Sequence, residues 1–320
     1  MSSVWVRTGA RLHFGQLDLN GSLGRLYGGL GLALDWPRIE LTAHRSDRLE
    51  LICPREKNRL ESIARQYLEY FSLPGVKLEL KQFFPSHAGF GSGTQLALAI
   101  GRAIATLYGQ NPPPTELAAI TDRENSRSGL GIASFFQGGF LVDGGKAMDG
   151  EGNISKQAPP ILIRLPFPEE WSIILAVPKT VDKMFGKRES EAFKALTPMD
   201  ELVSSRNCRL LLMKLLPAIV EKSLSTFGEA IEEIQANIGD YFAPVQGGRF
   251  SHVESLRMAE CFSSLGLSGV GQSSWGPTVY GFCQKKDKEH LLNQVKHQAG
   301  EHVSIWATEG NNRGAEWGWI

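Results

Sequence analysis

Between residues 85 and 107 the chain passes from Pro85-Ser86-His87-Ala88-Gly89-Phe90-Gly91-Ser92-Gly93-Thr94-Gln95 into a run where Leu96, Ile100, Ala103, Ile104 and Leu107 recur at helical spacing. Three glycines at alternate positions let the main chain approach a ligand with no Cβ in the way. The helix behind them offers unpaired N–H groups and the positive end of its dipole, which suits phosphate or pyrophosphate. Ser92 and Thr94 add hydroxyls, and either is placed to cap the helix, which Gly109 and the prolines at 112–114 end. The segment is not a G-x-x-x-x-G-K-[ST] loop or a dinucleotide fingerprint, since no Lys follows the last glycine. Alone, it fits a phosphate loop and a plain helix-starting turn equally well.

The rest of the chain alternates between the two periods. Residues 39–44 and 76–80 have strand character, with a one-faced helical pattern over 60–71 between them. A helix is expected over 115–125, a turn at 127–131, a strand ending at Asp143-Gly144-Gly145, and a Gly/Pro-rich loop from 144 to 160. Trp171-Ser-Ile-Ile-Leu-Ala-Val177 is an apolar run of strand length. Residues 199–242 are helical with a break expected at Pro217, and 252–265 form another helix. Strands at 278–283 and 302–307 flank a helix at 288–297. This order gives an α+β fold. A chain of 320 residues is more naturally two domains than one, and the boundary is placed near residue 165, giving 1–165 and 166–320.

Charge narrows the partners. Lys plus Arg (34) equals Asp plus Glu (34), so no basic excess points to nucleic acid or an anionic membrane, and cationic groups must act inside a pocket. No apolar run reaches the roughly 18–20 residues that span a bilayer. The first residues lack a signal-peptide pattern, so a cytoplasmic location is expected. Cys53, Cys208, Cys261 and Cys283 are far apart, with no C-x-x-C and no neighbouring His. They are read as buried small hydrophobes, neither zinc ligands nor a disulfide framework.

Three further clusters carry chemistry. Arg11 and His13 are two apart, so on a strand they share a face, and together they can grip a carboxylate or phosphate. Asp18 follows, with the option of orienting His13 or holding a metal; Asn20 and Arg25 complete the group. The competing reading is a solvated strand edge and turn. Arg127-Ser128-Gly129-Leu130-Gly131 is a cationic turn of small residues. Gln272-Ser273-Ser274-Trp275, held between glycines, offers hydrogen-bond donors and a ring that either stacks on a flat ligand or fills the core.

In order and spacing these segments resemble the superfamily of galactokinase, homoserine kinase, mevalonate kinase and phosphomevalonate kinase. The resemblance implies a two-domain GHMP-kinase-like fold, with an N-terminal domain like ribosomal protein S5 domain 2 and a ferredoxin-like C-terminal domain. Two departures stand out. The kinases carry S-S-A-like residues after the loop glycines, where this chain has Ser92-Gly93-Thr94-Gln95. Many also place a catalytic Asp after a Ser-Gly pair, and Ser128-Gly-Leu-Gly-Ile-Ala-Ser134 has no acid, which removes the usual means of orienting a hydroxyl acceptor.

The stretches Gly9-Ala-Arg-Leu-His-Phe-Gly15, Gly89-Phe-Gly-Ser-Gly-Thr-Gln95, Arg127-Ser-Gly-Leu-Gly131, Gly138-Gly-Phe-Leu-Val-Asp-Gly-Gly145, Phe242-Ala-Pro-Val-Gln-Gly-Gly248 and Gln272-Ser-Ser-Trp-Gly-Pro-Thr-Val-Tyr-Gly281 look closer to one divergent branch, the β-ribofuranosylaminobenzene 5'-phosphate synthases. This resemblance implies condensation of phosphoribosyl pyrophosphate with 4-aminobenzoate or 4-hydroxybenzoate, releasing CO₂ and pyrophosphate, on the way to tetrahydromethanopterin-type carriers. It also implies Mg²⁺ on the pyrophosphate and a homodimer. Under it, Gly89, Gly91, Ser92, Gly93, Thr94, Gln95, Arg127 and Ser128 would hold phosphates. Arg11, His13, Asp18, Arg25 and His87 would serve the benzoate and the chemistry, and Gln272, Ser273, Ser274 and Trp275 the ribose and ring. Asp18 and Asp143 are the metal or acid–base candidates. A small-molecule kinase and a non-catalytic binding homologue are the competing readings.

Overall fold

The computed structural model describes residues 2–123, 125–179 and 196–320. Two long strands, β1 (Ser3–Asp18) and β2 (Arg25–Arg45), pair antiparallel along most of their length. They lie close because Gly9 has no side chain: a Cβ there would fall 1.6 Å from the Leu34 carbonyl oxygen. The register shifts between Gly9 and Arg11 and again between His13 and Gly15. Such bulges re-aim side chains, and here they bracket Arg11 and His13. The strand expected at 39–44 is the far end of β2.

After β3 (Leu49–Ile52), α1 (Lys57–Tyr70) and β4 (Val76–Gln82) comes α2 (Ser92–Leu107), buried nearly all round. Its cap is Gly91 in the left-handed conformation (φ 74°), with no side-chain cap. The expected Ser92 or Thr94 cap is thereby corrected: Gly91 turns the chain without needing a hydroxyl. The helix expected over 115–125 is shorter, α3 (Pro114–Ala119), ending before Asp122 takes a positive φ; residue 124 lies outside the described residues. Then follow α4 (Leu130–Phe136), β5 (Phe140–Asp143), β6 (Lys146–Ala147) and β7 (Ile161–Leu165). The short β6 pairs with the start of β2, inside the stretch expected to be loop.

The second sheet opens with β8 (Trp171–Pro178), buried along its whole length. Residues 199–242 contain α5 (Glu201–Leu210), a π-helical turn (Leu211–Leu215), α6 (Leu216–Val220) and α7 (Leu224–Gln246). The break expected at Pro217 falls instead at Lys222, where φ turns positive. Pro217 follows directly on the π-helical turn, whose altered bonding absorbs the missing N–H so that the helix runs on. The remaining elements are α8 (Val253–Ser264), β9 (Ser268–Gln272), β10 (Val279–Gln284), α9 (Lys288–Ala299), β11 (Val303–Thr308) and β12 (Glu316–Trp319).

One sheet runs β12-β1-β2-β4-β3 with β5, β6 and β7 attached; the other runs β11-β8-β10-β9. Strands of the first sheet therefore come from residues up to Leu165 and again from β12, after the second sheet is complete. Phe14, Phe140, Tyr280 and Phe282 share one apolar core between the sheets. All four cysteines are free thiols. Cys261 and Cys283 are buried as expected, but Cys53 is only half-buried and Cys208 is exposed because its position on α5 faces outward. No described helix is long and apolar enough to cross a membrane.

Candidate active site

The site forms where three distant sequence segments lock together. The backbone N–H of Arg11 donates to Phe90 O (3.1 Å), and its Nη1 donates to Gly89 O (2.7 Å). The Ser273 hydroxyl accepts from His13 N–H (3.1 Å) and donates to Gly89 O (2.8 Å), while Ser274 N–H donates to His13 O (3.1 Å). One buried hydroxyl thus ties β1 to the glycine loop and to the β9–β10 turn. Gly89 has no room for a side chain, since a Cβ would lie 2.3 Å from Ser273 O.

Arg11 Nε is shut off from solvent with no hydrogen-bond partner. An N–H donor left so is costly, which is the mark of a group waiting for an acceptor. Burial lowers the Arg11 pKa to about 10, so it stays cationic at neutrality. The imidazole of His13 accepts from Gly15 N–H at Nδ1 (3.1 Å), which leaves the proton on Nε2. Burial first, then the Arg11 charge, lowers its pKa to about 3. His13 is therefore a neutral donor beside a fixed cation.

Two cavities adjoin along this seam. The first, about 360 Å³, is lined by Arg11, His13, Arg127, Ser128, Gln272 and Trp275, among others. The second, about 190 Å³, is walled by Gly89, Gly91, Ser92, Gly93 and Thr94 with His87, Arg59 and Arg123. Ser274 and Trp275 belong to both. Trp275 leans on Phe242 at 4.7 Å between ring centroids and is half-buried where it lines both cavities. No described Asp or Glu lines either cavity.

Five of the expected site residues do other work. Gln95 turns into the core, accepting from Thr8 Oγ1 (2.7 Å) and donating to Gly131 O (2.8 Å) and Ser134 Oγ (3.1 Å). Asp18 accepts from Asn20 and Gly21 N–H and shapes that turn, leaving Gly15 rather than Asp18 to orient His13. Arg25 donates to Gly144 O and Gly145 O (2.6 and 2.7 Å). Ser273 is the buried clamp already described. Asp143 is buried, accepting from Gly29 and Gly145 N–H at one oxygen and from Ser128 Oγ and Gly129 N–H at the other. Burial raises its pKa against the pull of those four donors. It positions the 127–129 turn without reaching the cavity.

A metal fits this donor set poorly. Among the described residues no three His, Cys, Asp or Glu cluster so as to hold a metal by protein ligands alone, and Asp18 and Asp143 are committed to N–H and hydroxyl donors. Sequence reasoning missed Arg59 and Arg123 at the loop, and Gln235, Gln246 and Arg249 in the larger cavity. Arg59 and Arg123 stand in no local motif. Of these only Gln246 lay in a stretch already singled out, 242–248.

Fold and site together place the chain in one class: residues 58–139 match the GHMP kinases N terminal domain and residues 215–302 the GHMP kinases C terminal. Homoserine kinase from Cytophaga hutchinsonii superposes with a TM-score of 0.67 at 17% identity, over 98% of this chain and 97% of that one. Lactococcus lactis galactokinase complexed with galactose gives 0.67 at 14%, over 98% and 95%. Within that class the chain belongs to the family of the β-ribofuranosylphenol 5'-phosphate synthases. It is 35% identical to the enzyme of that name from Methanocaldococcus jannaschii, over 97% of this chain and 98% of the relative. The Archaeoglobus fulgidus enzyme matches at 35% over the same shares. A Methanopyrus kandleri homoserine kinase is more distant, 24% identical over 83% of this chain and 85% of the kinase. The resemblance drawn from the motifs is borne out, as is the reading of the chain as an enzyme.

Proposed function

We propose that this chain joins C1 of phosphoribosyl pyrophosphate to the carboxyl-bearing ring carbon of a para-substituted benzoate, 4-hydroxybenzoate or 4-aminobenzoate, releasing pyrophosphate and CO₂. The relatives' name describes a ribose 5-phosphate on a phenol ring, which a hydroxybenzoate acceptor would give. The observation that carries the reading is the pair of adjoining cationic cavities that no described carboxylate lines. A diphosphate on one side and a benzoate on the other match that charge, and Ser274 and Trp275 mark where they meet.

The C1–O bond breaks with its electron pair going to pyrophosphate, held by the loop N–H groups and the α2 dipole. A ring electron pair forms the new C–C bond, and the C–COO⁻ pair returns to the ring as CO₂ leaves. No proton is removed from the attacked carbon, which agrees with a site whose imidazole is neutral and held as a donor. Arg11 and His13 Nε2 hold the carboxylate, and that grip must weaken as charge leaves it. Trp275 stacks on the ring. Mg²⁺ enters this reading only as an ion carried on the pyrophosphate oxygens. The homodimer rests on the family resemblance and the cytoplasmic location on the lack of a signal-peptide pattern; sedimentation equilibrium tests the dimer.

Incubation with phosphoribosyl pyrophosphate and carboxyl-labelled 4-hydroxybenzoate or 4-aminobenzoate tests the reaction. Release of labelled CO₂ supports it and shows which ring is used; ADP formation from ATP with no CO₂ would mark a kinase instead.

A further inference from the structure

Gly93 stands where the kinases carry a serine, and the structure supplies a reason for the difference. A Cβ on residue 93 would lie 2.7 Å from Arg59 Nη2 and 3.4 Å from Arg123 Nη1. Two guanidinium tips, one from α1 and one from the turn after α3, therefore converge on the space a side chain would fill. Arg59 spends Nη1 on Ser86 Oγ (3.3 Å) and on a long contact with Glu56 (3.5 Å), and Arg123 spends Nε on Thr121 O (2.8 Å). Among the described residues Arg59 Nη2 and Arg123 Nη1 take no acceptor. Burial, then the Arg59 charge, lowers the Arg123 pKa. Two like charges held this close, with no described carboxylate between them, are stabilised when an anion joins them.

We propose that Arg59 and Arg123 form a two-guanidinium clamp for the diphosphate group, and that Gly93 is glycine to leave its seat open. This rests on the reaction proposed above, in which that diphosphate is the leaving group. A pyrophosphate ion carries more negative charge and more phosphoryl oxygens than a single phosphate, so it can engage both guanidinium tips and the loop N–H groups through more bonds at once. The clamp thus selects a diphosphate over a monophosphate. It also takes up negative charge as the C1–O bond breaks.

Calorimetric titration of the whole protein with inorganic pyrophosphate, and separately with inorganic phosphate, tests the clamp. The parent is expected to bind pyrophosphate more tightly than phosphate. Arg59→Gln and Arg123→Gln are each expected to weaken pyrophosphate binding about ten- to a hundredfold, and the double variant by less than the product, because both groups hold one ion. Equal affinity for the two ions in the parent, or unchanged pyrophosphate binding in both single variants, overturns the proposal. Should the Gln variants fail to fold, Gly93→Ala carries the test. Its methyl displaces only side-chain tips, so the fold survives while pyrophosphate affinity drops; unchanged affinity there counts against the clamp. Labelled CO₂ release by the parent judges the reaction separately. A reaction that proceeds while the variants bind normally sinks the clamp alone, and arginine-dependent binding without CO₂ sinks the reaction alone.

Discussion

The carboxylate of Asp143 gathers N–H groups from β2, from the 127–129 turn and from its own turn, together with the Ser128 hydroxyl. In Asp143→Asn an amide NH₂ must face a donor, so one buried bond becomes a clash. The loss expected is about 1–3 kcal/mol, with weaker substrate binding through the loosened turn; urea unfolding and substrate titration measure the two. His13 makes a pH prediction. Unfolded, its imidazole protonates near 6.5, whereas folded it resists until about 3. Unfolding therefore takes up a proton between those values, and stability present above 6.5 is lost as the pH falls through the window. Relative to His13→Gln, the parent should lose at most about 1.4 kcal/mol per pH unit there; parallel pH curves from urea unfolding would refute the buried neutral imidazole. Arg11 and His13 were legible because a spacing of two fixes a shared face. Asp18 and Gln95 misled because sequence gives a residue's chemistry but not the direction it points. Arg59 and Arg123 escaped because their convergence exists only once α1 and α3 have packed around α2.

Helices and strands with strong periodicity, such as α1, α8, α9 and β8, appear within a few residues of where the hydrophobic pattern puts them. The misjudged elements are those in which a local exception is absorbed. The π-helical turn before Pro217 lets the helix continue to Val220, and the left-handed Gly91 makes a polar cap unnecessary. Between α1 and α2 the fit is set by Gly101, where a Cβ would lie 2.4 Å from the Tyr67 ring. Tyr67 is itself fixed, donating to Leu117 O at 2.9 Å. Gly101→Ala should overpack this contact and cost about 1–3 kcal/mol despite alanine's better helix propensity, a result that thermal unfolding reads directly. A stabilised variant would show that the two helices slide apart freely.

At the scale of the molecule, β12 returns to the open edge of β1, pairing Val4 with Trp319 through Arg7 with Glu316. Trp317 lies parallel to Phe135 at 6.5 Å, and the Arg102 guanidinium sits 4.8 Å from its ring centre. Trp317 is only partly covered, so Trp317→Ala should cost about 1–2 kcal/mol, seen as one lowered cooperative transition rather than the early melting of a tail. A separate early transition would mean that β12 is only an appendage. Nothing in the sequence near 165 announced this return, because a four-residue strand holds too little periodicity to declare its partner. The consequence reaches back to synthesis. A chain emerging in order from the ribosome makes β1 first and β12 last, so the outer edge of β1 stands unpaired until the whole second sheet has been translated. During that interval Trp5 and its neighbours are open to wrong partners, and a holding chaperone would find its binding segment there.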